Sequence, residues 1–105
     1  LADVGFCLLP RKPDWYYAHP IKIGEYLAGG TIPLASAYPG IRQLVRDVGV
    51  LVANDSNAVA EKLINLSEHS DHRSKLQWRC RQRATAIDWR DERAWFARQA
   101  LERGT

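Results

Sequence analysis

The chain has 105 residues, 46% hydrophobic and 26% charged, with fifteen Lys and Arg against twelve Asp and Glu. That composition suits one modest folded domain and excludes a disordered or low-complexity chain. The net charge of +3 permits an anionic ligand without requiring one, no apolar run is long enough to cross a bilayer, and two distant cysteines, Cys7 and Cys80, make neither a zinc signature nor a disulfide framework. The opening Leu1-Ala2-Asp3-Val4 is neither a signal peptide nor a natural start, so a piece of a longer cytosolic protein is expected.

Residues 4–10 read as a strand ended by Pro10, and the unbroken apolar run suits a strand buried on both faces of a parallel sheet. Residues 11–19 read as a loop, polar first and then aromatic through Trp15, Tyr16 and Tyr17. These three rings are either packing or a ligand platform, because this loop leaves the strand end where α/β proteins bind ligands. Pro20 suits the first position of a helix and Gly29 or Gly30 its left-handed close. Residues 31–36 form the next strand. Pro33 inside it predicts a place where the strand is at an edge or leaves the ladder.

A turn over 37–40 leads to a helix over 41–47, with Ile41, Leu44, Val45 and Val48 on one side. Residues 49–53 read as a third strand. Asn54–Asn57 end it, with Asp55 or Ser56 as the N-cap of a helix over 57–68. A break at 69–71 precedes a helix over 72–86, striped by Leu76, Cys80, Ala84 and Ile87. Asp88 then caps a last helix over 89–102, with Asp91 as its capping-box partner. Trp89, Trp95 and Phe96 give that helix the aromatic weight of one that docks on another domain. The fold class is therefore α/β: a partial Rossmann-like three-layer domain with about three parallel strands and C-terminal helices. Residues 1–68 form the α/β core and 69–105 the helical segment.

The basic residues of the tail, Arg73 to Arg98, do not share one helical face and are interrupted by acids. They read as a solvated surface rather than a nucleic-acid site, with weak attraction to an anionic membrane as the lesser reading. No Gly-x-Gly-x-x-Gly, Walker loop or zinc motif is present, and no Ser or Cys nucleophile stands beside His19.

The candidates with chemistry lie at the strand-to-helix connections. The backbone donors after Pro20 can meet an anion, and Gly40 opens a second helix with no side chain to obstruct an approach. Lys22 sits in a first turn, where the helix dipole disfavours a cation unless an anion or acid is near. Glu25 shares its face, as a surface ion pair or as a carboxylate that accepts two ribose hydroxyls. His19 is placed to donate to a sugar or phosphate oxygen.

The run Pro20 to Gly30, then Ile32-Pro33-Leu34-Ala35-Ser36, Pro39-Gly40-Ile41, Leu44-Val45 and Gly49-Val50-Leu51-Val52, resembles the C-terminal lobe of GT-B glycosyltransferases of the family 4, or group 1, type. The resemblance covers residues 2–66, and more loosely Asp88-Trp89. It implies a parent enzyme that transfers a sugar from a nucleotide-diphosphate sugar to an acceptor, with no metal or resident cofactor and with this part contributing to donor binding. In the family a Glu-x7-Glu motif lines the donor. Its second glutamate, which holds the ribose, carries over to Glu25. Its first, which touches the sugar, falls on Tyr17, where this sequence departs from the pattern. A variant form Pro-x-Lys-x-x-Glu-Tyr is matched at Pro20, Lys22, Glu25 and Tyr26.

Tyr17 or His19 would then supply part of the missing sugar contact. The donor-binding set is Glu25, Lys22, His19, Tyr17 and Gly40, and no residue is assigned a catalytic role. The family's diphosphate-binding Arg and Lys would lie upstream of Leu1, so this piece alone should be inactive. The sheet edge left open there would invite a homodimer. The resemblance also implies a cytoplasmic enzyme, at most peripheral to an inner membrane, with no nucleic-acid partner. The alternatives are a nucleotide-sugar epimerase of the same architecture and a non-catalytic α/β interaction domain.

Overall fold

The computed structural model describes residues 3–53 and 55–102; Asn54, placed by the sequence in the turn after the third strand, lies outside them. Three strands form one parallel sheet in the order β1-β2-β3, with β1 at Val4–Cys7, β2 at Ile32–Ser36 and β3 at Val50–Val52. Six helices are described: α1 (Pro13–Tyr16), α2 (Ile21–Gly29), α3 (Pro39–Val45), α4 (Ser56–Glu68), α5 (Ser70–Ala86) and α6 (Trp89–Glu102). The expected α/β class and parallel three-strand sheet are thus present. No helix among the described residues is long and apolar enough to cross a membrane.

The first strand is shorter than the apolar run predicts. Side chains from the end of β2 and from just beyond it take its last residues out of the ladder. The Leu9 amide donates to Ser36 Oγ at 2.8 Å. The Tyr38 hydroxyl sits 3.1 Å from the carbonyl oxygens of both Leu9 and Pro10 and shares its one proton between them. The loop at 11–19 is also not all loop, because Pro13 supplies a preset φ for the single turn α1.

Pro20 is the N-cap of α2 rather than its first residue. Its ψ of 131° is extended, and its carbonyl accepts from the Ile23 amide at 3.1 Å. Gly30 closes the helix at φ +70°, its amide and that of Thr31 reaching back to the Leu27 and Tyr26 carbonyls. Helix α3 starts at Pro39, inside the expected turn, since proline is accepted in a first turn. It stops at Val45 because Arg46 adopts a positive φ of 55°.

Pro33 lies in the middle strand, not at an edge, yet the ladder does break there. The Ile32 amide points to β1, bonding Asp3, so position 33 faces β3. The β2–β3 pairing starts only at Leu34 with Val50. The register would aim an amide at 33 toward the Val48 carbonyl. That oxygen instead meets the Cys80 thiol at 3.5 Å.

One core joins the sheet to the helices. Ile23 and Leu27 of α2, Ile41, Leu44 and Val45 of α3, and Leu76 and Cys80 of α5 cluster with Cys7, Ile32 and Ala35. The predicted stripe of α5 is therefore correct, and α5 belongs to the same core as the sheet. Asp55 caps α4 by accepting from the Asn57 amide at 2.9 Å. Asp88 caps α6 through the Arg90 amide at 2.9 Å, and Asp91 makes no reciprocal bond among the described residues. Two tail arginines turn inward rather than into solvent: Arg73 donates to the Leu66 carbonyl and Arg83 to the Leu44 carbonyl.

Candidate functional site

The three strands end side by side, and the segments leaving them build the rim where open α/β sheets take ligands. Ser36 and Tyr38 fasten the segment after β1 to the end of β2 by the bonds described above. Tyr16 packs on Tyr38 with ring centres 5.0 Å apart. Around these rings lies an open depression of about 430 Å³, lined by Arg11, Tyr16, Ala37, Tyr38, Pro39, Val52 and Ala53. Trp15 stays 41% exposed. Of the aromatic run, Tyr16 is therefore packing at the rim of a hollow and Trp15 is free surface.

Lys22 and Glu25 are both solvent-exposed on α2. No ion pair joins them among the described residues. The Ile21 and Lys22 amides have no acceptor among the described residues. Lys22 lies close enough to Cys7, at the end of β1, for its charge to favour the thiolate there, although burial outweighs it and pushes the Cys7 thiol up. Cys7 thus stays a neutral, buried thiol. Tyr26, next to Glu25, turns the other way. Its hydroxyl donates to the Phe6 carbonyl at 3.0 Å, and its ring covers Gly5, where a Cβ would come within 2.5 Å of it.

Tyr17 and His19 sit apart from the depression, under α6. The Tyr17 ring is 6.3 Å from that of Trp95. The backbone at 17–18 rests on Gly40, where a Cβ would stand 2.6 Å from the Tyr17 carbonyl oxygen and nearer still to its carbonyl carbon and to the Ala18 oxygen. The space over Gly40 is therefore filled by this chain's own loop, not left open for a ligand. His19 stacks on Trp95, centroids 5.2 Å apart at 18°, with Phe96 tilted beside it at 6.2 Å.

The chain matches no protein-family model, no curated protein and no solved structure.

Residue spacing did not reveal two groups. Arg11 and Tyr38 reach the depression through the path of the loop after β1. Glu92 and Arg83 reach His19 through the packing of α5 and α6. A signal for Glu92 did exist, since it falls on the α6 face that also carries Trp95, and an acid on an inward stripe is seldom buried without a partner. Burial lowers the pKa of His19 against the opposing pull of Glu92, which leaves the ring neutral at neutral pH. Burial and the nearby Arg46 lower that of Arg83 against Glu92.

The start of α2 thus offers a cation and a carboxylate without an ion-pair partner among the described residues, and two free helix amides. That set suits a polyhydroxylated, phosphate-bearing ligand. Both cysteines are buried.

Proposed function

We propose that this chain is the donor-binding part of a glycosyltransferase of the two-lobed type, holding a nucleotide-diphosphate sugar at the start of α2. The observation that carries this reading is the pair of exposed, unpaired charges there. Lys22 occupies a helix first turn without an acid to offset the dipole, beside two free amides, so a diphosphate would relieve the unfavourable charge. Glu25, on the same face, is free to accept hydroxyl protons of a ribose. The parallel order of β1, β2 and β3 supports the reading, because it leaves these groups at the strand ends. The role is binding and stabilisation of the departing diphosphate; the acceptor and the reacting groups lie elsewhere in such an enzyme.

Calorimetric titration of UDP, GDP and ADP into the full-length protein tests it. One of the three should bind, and Lys22→Ala and added salt should both weaken it. A folded protein that binds none of them defeats the proposal.

A further inference from the structure

Three polar atoms without hydrogen-bond partners converge beneath the loop that enters α2: His19 Nε2, Glu92 Oε2 and Arg83 Nη2. Their side chains are 11%, 4% and 10% exposed. Glu92 bridges the other two, with Oε1 3.5 Å from Arg83 Nη2 and Oε2 4.0 Å from His19 Nε2. Trp95 and Phe96, also on α6, fix the plane of the imidazole. One helix therefore sets both the tilt of the ring and the charge that faces it. Of the two ring nitrogens, only Nε2 is buried without a partner.

A neutral imidazole carries its proton on one nitrogen and a lone pair on the other. A lone pair at Nε2 would face the Glu92 carboxylate and be repelled, so the proton belongs there and the lone pair is at Nδ1. We propose that Glu92 is a positioning residue that holds His19 in its Nε2–H form and so presents Nδ1 as a hydrogen-bond acceptor to a hydroxyl of the donor sugar. This rests on the donor-binding reading above. Burial keeps His19 neutral, which the role requires. The ionisable groups that packing brings to the ring are Glu92 from α6 and Arg83 behind it from α5, with Tyr17 on its own loop.

Nitrogen-15 NMR of the histidine rings in the full-length protein reads the tautomer directly. His19 should be in the Nε2–H form at neutral pH. In Glu92→Gln its titration should move to lower pH and the tautomer populations should shift, since a carboxamide can face the ring with oxygen or nitrogen. Titrations of UDP, GDP and ADP beside UDP-glucose, GDP-glucose and ADP-glucose read the function. Glu92→Gln should weaken the nucleotide sugar about tenfold and leave the bare nucleotide unchanged. His19→Asn, which keeps an acceptor at the Nδ1 position, should retain sugar affinity, and His19→Phe should lose it; these two variants decide the matter if Glu92→Gln does not fold. An Nδ1–H tautomer in the wild type, a tautomer and titration untouched by Glu92→Gln, or equal weakening of nucleotide and nucleotide sugar would overturn the proposal. Failure of every nucleotide to bind would overturn the donor reading, and the hydroxyl contact with it, even with the expected tautomer in place.

Discussion

Replacing Gly40 by alanine should destabilise the protein, although alanine is the better helix former. The residue lies in the first turn of α3, where the exchange would by itself add about 0.5–1 kcal/mol. The added Cβ, however, would stand 2.6 Å from the Tyr17 carbonyl oxygen, roughly 0.7 Å inside the ~3.3 Å at which carbon meets a carbonyl oxygen. Its other close neighbours are also backbone, which has no rotamer to change. Overpacking of this kind costs up to about 3 kcal/mol, so the net loss should be about 2 kcal/mol. For a domain of this size that is a fall of roughly 8–16 °C in melting temperature. Gly29→Ala is the internal control: only Thr31 Oγ1 lies near, at 3.8 Å, so Ala should raise the melting temperature by a few degrees. Thermal melts of the two variants against wild type decide it. A Gly40→Ala protein as stable as Gly29→Ala would show that the 17–18 backbone does not rest on α3, and would reopen the space over Gly40 to a ligand.

The remaining predictions concern the core and the rim. Burial raises the Cys80 thiol from 9.0 to about 11, so between those values the unfolded chain has lost a proton that the folded one keeps. Stability should therefore fall as pH rises from about 9 to 11, and Cys80→Ala should remove that part of the alkaline loss. Tyr38→Phe should cost about 1 kcal/mol in urea unfolding, the usual net value of one hydrogen bond, with Leu9 and Pro10 losing their shared donor. Leu27→Ala, at a fully buried position, should cost about 2–5 kcal/mol by the same assay.

Local chemistry made much of this fold legible. Pro20 and Gly30 bracket α2 because one lacks an amide and the other tolerates a positive φ. The spacing of Leu76, Cys80, Ala84 and Ile87 marks the buried side of α5 before any partner is known. Pro33 announced a fault in the ladder, but only the register shows that the fault faces Val48 and Cys80. The shortened β1 was not legible, because the side chains that draw off Leu9 and Pro10 come from Ser36, at the end of another strand, and from Tyr38 just beyond it. Lys22 and Glu25 could be picked out since their meaning depends on a single helix. The surroundings of His19 could not, as they depend on α6 folding back over the loop. Gly40 is the clearest case of two readings of one residue: the missing side chain makes room for chain, where the sequence alone allowed room for ligand.

The claim that Glu25 holds a ribose can be tested most directly by removing the hydroxyls rather than the residue alone. The nucleoside diphosphate that binds, and its 2′,3′-dideoxy analogue, should be titrated into wild type and Glu25→Gln. Wild type should prefer the ribose form at least tenfold, about 1.4 kcal/mol. The variant should lose most of that preference while binding the dideoxy form as wild type does. Equal affinity of wild type for the two ligands, or a preference that survives Glu25→Gln, would contradict the assignment.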